Sequence, residues 1–242
     1  MSLPTLFGPA RARAGERREV RVDVGKVELP ATLSIPEDPQ GLVLYACGGD
    51  SRRASRRNGS IAEVLQDHGI ATLLLDLLTE DEEAMDHRSF QICSSVPLLA
   101  KRLAGATSWA LRQRELWGLE IGYFGVGAGA AAAFPASTRL PRGIAAIVAL
   151  GARRGLEDES LDSVDAPALL IVGGYDGLAL VLNRHALAKL GCREKRLAVI
   201  RGATPLFEEP GTLENAAQAG ADWFSAHFSR NSSHRIRRAV VS

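Results

Sequence analysis

Two stretches near the start of the chain alternate apolar and polar positions, Glu19–Val24 and Val27–Ile35, with Gly25-Lys26 between them. A period of two turns one row of side chains toward a core, and the glycine supplies a tight reversal, so this pair predicts an antiparallel hairpin. Beyond Pro36–Gly41 the pattern changes. Leu42–Ala46 is a continuous apolar run, and similar runs follow at Ala71–Leu75, Ile121–Phe124, Ile144–Leu150, Ala168–Val172 and Arg196–Ile200. Such runs are expected of strands covered on both faces in a parallel sheet. Between them lie helical patterns: Ile61, Ala62, Val64 and Leu65 before Gly69; Val96–Leu111, with Leu98, Leu99, Leu103, Ala106 and Ala110 on one face; a helix opening at Gly129–Phe134; Leu178–Leu190; and Leu213–Phe228. A hairpin followed by strand and helix in alternation predicts an α/β fold, a mainly parallel sheet of about eight strands with helices on both faces.

The flanks differ in character. Residues 1–18 are polar and basic with Pro and Gly, and 229–242 are polar and basic again, so the division expected is an arm, a single domain over 19–228, and a tail. With 242 residues and 46% hydrophobic content the chain has enough apolar material for one sizeable core. Lys plus Arg number 29 against 28 Asp plus Glu, a net charge of +1 that offers no global field for nucleic acid or an acidic membrane. Cys47, Cys93 and Cys192 are widely spaced with no CxxC pair. That argues against a disulfide framework or a zinc site and suits a reducing cytoplasm. No run of about 18 apolar residues occurs, so neither a membrane span nor a signal-peptide core is expected. Nothing points to a metal or a cofactor.

The chemistry-bearing motifs lie at the ends of the apolar strands. Gly125-Val126-Gly127-Ala128-Gly129 has the spacing G-x-S-x-G of a nucleophile elbow, with Gly127 in the serine position. Tyr45-Ala46-Cys47-Gly48-Gly49-Asp50 stands where an oxyanion loop His-Gly-x-Gly would be, and Leu74-Leu75-Asp76 ends the strand after it. Leu170-Ile-Val-Gly-Gly-Tyr-Asp176 and Arg201-Gly-Ala-Thr-Pro205-Leu-Phe-Glu-Glu follow in the order acid, then histidine loop. Together these motifs, over roughly residues 20–228, resemble the dienelactone-hydrolase-like branch of the α/β hydrolases. The resemblance implies an α/β-hydrolase fold and a Ser–His–acid triad in which serine attacks and histidine shuttles the proton. This chain departs from it at two of the three positions. Gly127 has no side chain to attack with, and Pro205 has no titratable nitrogen. Asp176 alone is retained.

Each candidate residue has a bland alternative. Cys47 stands at the family's histidine position in the oxyanion loop, and a nucleophilic role would need a base such as His87; a buried, inert thiol is the alternative. Asp176 acts as a base only if the emptied space desolvates it, and otherwise caps local N–H groups. Asp50-Ser51-Arg52-Arg53 continues the loop over the pocket mouth, and Arg52, Arg53, Arg56 and Arg57 would hold a carboxylate or phosphate, or form part of a solvated basic loop. Asp76–Met85 reads as a loop over the site or as solvated acidic surface, Glu208 and Glu209 as charges before the last helix, and Tyr123 as core. The N–H of Ala128 and one from Cys47–Gly49 would keep an anion-binding notch. A pocket bordered by Gly48, Gly49, Asp50, Ser51, Gly127, Ala128, Leu178, Pro205, Leu206 and Phe207 is expected to take a small hydrophobic or anionic molecule. The sequence therefore predicts a non-hydrolytic relative, either a cyclase-, isomerase- or lyase-type enzyme (secondary metabolism is one setting) or a binding protein. Open alternatives are a catalytically dead pseudoenzyme with a regulatory role, and a hydrolase with chemistry relocated to Cys47 or Asp176. A homodimer is left open.

Overall fold

The computed structural model describes residues 16–47, 56–86, 95–140, 143–153, 155–156 and 159–228. Eight strands form one sheet: β1 (Glu16–Asp23), β2 (Glu28–Ile35), β3 (Leu42–Cys47), β4 (Ala71–Asp76), β5 (Ile121–Val126), β6 (Ala146–Leu150), β7 (Ala168–Gly173) and β8 (Lys195–Ile200). Their spatial order is β1-β2-β4-β3-β5-β6-β7-β8. The hairpin β1–β2 is antiparallel, β2 runs antiparallel to β4, and every later pairing is parallel. All of β3 to β8 therefore end on one edge of the sheet, where open α/β folds place their ligands.

Six α-helices accompany the strands among the described residues: α1 (Arg56–Asp67), α2 (Glu80–Asp86), α3 (Val96–Ala110), α4 (Ala128–Ser137), α5 (Gly177–Lys189) and α6 (Thr212–His227). Side chains alternate across each strand, so neighbouring residues enter different cores. Leu44 and Tyr123 join Leu99, Leu103 and Phe134 beneath α3 and α4, while Tyr45 and Phe124 join Ile61, Leu65 and Phe224 beneath α1 and α6. Burying each such side chain contributes about 1.5–3 kcal/mol. Tyr123 is core, as its position in an apolar strand predicts.

Three details differ from the sequence expectation. β1 begins at Glu16 and pairs with β2 along its whole length, although its first side chains are exposed; the ladder of backbone bonds, which sequence alternation does not report, carries the strand outward. β8 is an edge strand, with Lys195, Arg196 and Val199 exposed rather than covered on both faces. The acidic stretch after Asp76 is not a loop but contains α2, for a reason given below. No helix among the described residues is long and apolar enough to cross a membrane.

Candidate functional site

The sharpest turn at the carboxyl edge is a single residue. β5 ends at Val126 and α4 begins at Ala128, leaving Gly127 alone to reverse the chain at φ 58° and ψ −116°. A positive φ of this kind strains any residue with a Cβ. The flanking glycines are needed for space: a Cβ on Gly125 would strike the Gly129 carbonyl, and one on Gly129 would strike the Ala46 carbonyl. At Gly127 itself an added Cβ would meet nothing within 4 Å among the described residues. The elbow is thus intact as backbone and open where a side chain would project. Gly127 also gives α4 no side-chain cap, so the Ala128 end of the helix presents its N–H groups to this edge.

Asp176, after β7, is buried and already engaged. Its Oδ1 accepts the Ala179 N–H at 3.0 Å, capping α5, and its Oδ2 accepts from Arg153 Nε at 2.9 Å, with Arg153 Nη2 also 2.9 Å away. Arg153 lies beyond the end of β6, between the strands that carry Gly127 and Asp176. The carboxylate has found a cation and a helix terminus instead of a histidine, which favours the capping role over the base.

The loop after β8 is held in place from several sides. The Tyr175 N–H donates to the Ala203 carbonyl at 2.9 Å, the Phe207 N–H to the Thr204 carbonyl at 3.1 Å, and the Thr204 N–H to Glu209 Oε2 at 3.0 Å. Glu209 is therefore a clamp for the Pro205 turn rather than a mere charge, and the Thr204 N–H holds its carboxyl below the usual glutamate range. Phe207 is buried with φ 52°, the one non-glycine residue at positive φ among those described. Leu178 and Leu206 are 64% and 56% exposed.

At the other end of this edge, Cys47 closes β3 and is buried. Its Sγ accepts from Asn58 Nδ2 at 3.4 Å, and Asn58 Oδ1 accepts from the Tyr45 hydroxyl at 2.9 Å. Burial, then the nearby Cys47, hold the Tyr45 phenol well above its ordinary pKa, while the Arg57 guanidinium pulls it down. The phenol therefore stays protonated and donates. His68 and His227 serve helix ends, bonding to the carbonyls of Val64 and Trp223 at 2.8 and 2.7 Å. Neither of these bonds involves Cys47. Gly48, Gly49, Asp50, Ser51, Arg52, Arg53 and His87 lie outside the described residues. No group of three or more His, Cys, Asp or Glu side chains arranged to hold a metal occurs among the described residues. Arg153 and Asn58 are functional-edge residues that sequence reasoning missed; the Arg153 signal was its place just past a strand end.

The architecture has close counterparts. The structure of a dienelactone hydrolase from Anabaena variabilis superposes with a TM-score of 0.86 at 43% identity, over 90% of this chain and all of that one. The chain belongs to the dienelactone-hydrolase family. More distant structures share the fold: Est1E from Butyrivibrio proteoclasticus has a TM-score of 0.71 at 14% identity, over 88% of this chain and 99% of that one. A dienelactone-hydrolase-like promiscuous phosphotriesterase from metagenomic libraries has a TM-score of 0.67 at 16% identity, over 90% of this chain and all of that one. No protein-family model matches the chain. Two Mycobacterium tuberculosis proteins, from strains CDC 1551 and H37Rv, each named "Putative phosphoribosyl transferase", are 46% identical over 209 residues, which is 86% of this chain. The match covers 46% of their length, so the chain spans about half of these relatives.

Proposed function

We propose that this chain is a non-hydrolytic member of the family whose carboxyl-edge site takes a small molecule, as a cyclase-, isomerase- or lyase-type enzyme or as a binder. One observation carries the reading: both oxygens of Asp176 are engaged, by Ala179 and by Arg153, while Gly127 and Pro205 offer no titratable group. Covalent acyl transfer needs a nucleophile and a base in contact, and the loss of either costs several orders of magnitude in rate. What persists is an ordered elbow, an open space at Gly127 and a clamped Pro205 loop. These are the parts that shape a ligand site rather than those that attack an ester.

The test is direct. The protein should neither turn over short-chain aryl esters above background nor react with fluorophosphonate probes. Stoichiometric labelling of any serine would overturn the proposal. Gly127→Ser alone should remain inactive, because its hydroxyl would lack a base. Gly127→Ser combined with Pro205→His should recover weak hydrolysis, and only if Arg153 yields Asp176 to the new imidazole.

A second reading is favoured by the relatives' names. The phosphoribosyl-transferase name belongs to proteins of which this chain matches 46% of the length. That supports an interaction role in which this domain works beside a phosphoribosyl-transferase unit, as the regulatory pseudoenzyme alternative would have it. Adding the purified chain to such a transferase should then change its steady-state rate, and no change at saturating concentration would remove this reading.

A further inference from the structure

The first turn of α1 carries two arginines, Arg56 and Arg57, and no acidic residue. Cations at the positive end of a helix dipole are unfavourable by about 0.3–1 kcal/mol each. Arg57 is half-buried, and its guanidinium lies 5.8 Å from the centroid of the Phe207 ring, packed over a side chain whose own backbone sits at positive φ. Its Nε is buried with no hydrogen-bond partner among the described residues. A buried donor left unpaired costs roughly 1–3 kcal/mol, more when it carries charge. The next residue, Asn58, is fully buried and bonded to Tyr45 and Cys47, so this turn is fixed to the end of β3 and does not drift with solvent. Two unfavourable features therefore meet at Arg57, at the edge where this fold binds ligands.

We propose that Arg57 anchors an oxyanion subsite, spanning the start of α1 and the Phe207 loop, that takes the phosphate group of a small-molecule ligand. An oxyanion there relieves both costs at once: it complements the helix terminus and gives the guanidinium fork, the buried Nε–H included, an acceptor. Phosphate is favoured over carboxylate because helix terminus and guanidinium present two positive sources to a single group. The Phe207 ring, its centroid 5.8 Å from the guanidinium carbon, supports the cation from one side. The subsite rests on the small-molecule reading above and gives that ligand a chemical class.

The experiment is calorimetric titration of the full-length chain with inorganic phosphate at constant ionic strength, with succinate in a parallel arm. Phosphate should bind saturably. Arg57→Gln should weaken it at least about tenfold, as expected for loss of one charge-assisted contact, with circular dichroism unchanged. Arg57→Lys should fall between the two, because a point charge replaces a fork. Arg193→Gln, which removes an exposed charge from the opposite edge, should bind like the parent. In ¹⁵N spectra the Arg57 Nε–H resonance should shift with the same midpoint as the heat. Absence of saturable binding, binding unaltered in Arg57→Gln, or binding of succinate but not phosphate would each overturn the proposal. None of these results bears on the ester-turnover test, so the subsite can fail while the non-hydrolytic reading stands.

Discussion

Gly125, Gly127 and Gly129 build one elbow for two physical reasons, and substitution separates them. At Gly125 and Gly129 a methyl group collides with backbone carbonyls that cannot move aside. Gly129→Ala should therefore lose roughly 1–3 kcal/mol or more through overpacking. At Gly127 the space is free and only the torsion resists, so Gly127→Ala should lose about 1–2 kcal/mol. Urea unfolding of the two variants, read by far-ultraviolet circular dichroism, should give that order. Asp176 belongs at this scale too. Asp176→Ala removes the α5 cap and should cost about 1–2 kcal/mol. Arg153→Ala should cost less, since an ion pair whose cation is 44% exposed is screened by solvent and Asp176 keeps the Ala179 N–H. A thermal melt in which Arg153→Ala is the worse of the two would contradict this assignment.

The element that sequence patterning misjudged is α2. Thr79 and Glu82 form a reciprocal capping box: the Thr79 N–H donates to Glu82 Oε2 at 2.9 Å, and the Glu82 N–H to Thr79 Oγ1 at 3.2 Å. Glu82 also receives both Nη groups of Arg102 from α3 at 2.6 Å each, and Arg102 donates to the Leu77 carbonyl at 2.8 Å. The Arg102 bond is the main cause that lowers the Glu82 pKa. A lowered folded-state pKa gives stability that is present above the ordinary glutamate value and lost as pH falls through the folded one. Glu82→Gln should thus cost about 1–3 kcal/mol at neutral pH, and its deficit relative to the parent should shrink in acid. Denaturant melts at pH 7 and below pH 4 measure the difference. The contrast with the strands is instructive. Leu42–Ala46 or Ala168–Val172 declares itself because a buried strand must be apolar over its whole length, and the elbow declares itself because its glycines are obligatory. α2 is short and acidic, and its order comes from an arginine twenty residues away; the same holds for Arg153 with Asp176 and for Asn58 with Cys47, pairs that only the folded chain brings together.

At the scale of the whole molecule, the parallel strands gather Cys47, Gly127, Asp176 and Pro205 onto one edge above the two cores. Gly127, Arg153, Asp176 and Pro205 come from, or follow, four consecutive strands of the sheet, β5 to β8. The sheet's other boundary features are its two outermost strands. β1 reads Glu-Arg-Arg-Glu-Val-Arg-Val-Asp and β8 begins Lys-Arg, so each ladder that has no partner among the described residues is lined with charge. An unpaired strand invites a second chain to extend the sheet, and charge along it makes that addition repulsive. The consequence concerns colloidal behaviour rather than folding. Replacing Arg17 and Arg21, both exposed, with Thr and Val should leave the unfolding midpoint within about 0.5 kcal/mol of the parent. The same double variant should scatter light increasingly with concentration and time at neutral pH, as molecules join edge to edge. A variant that stays monodisperse would mean that β1 is guarded by something other than its charges.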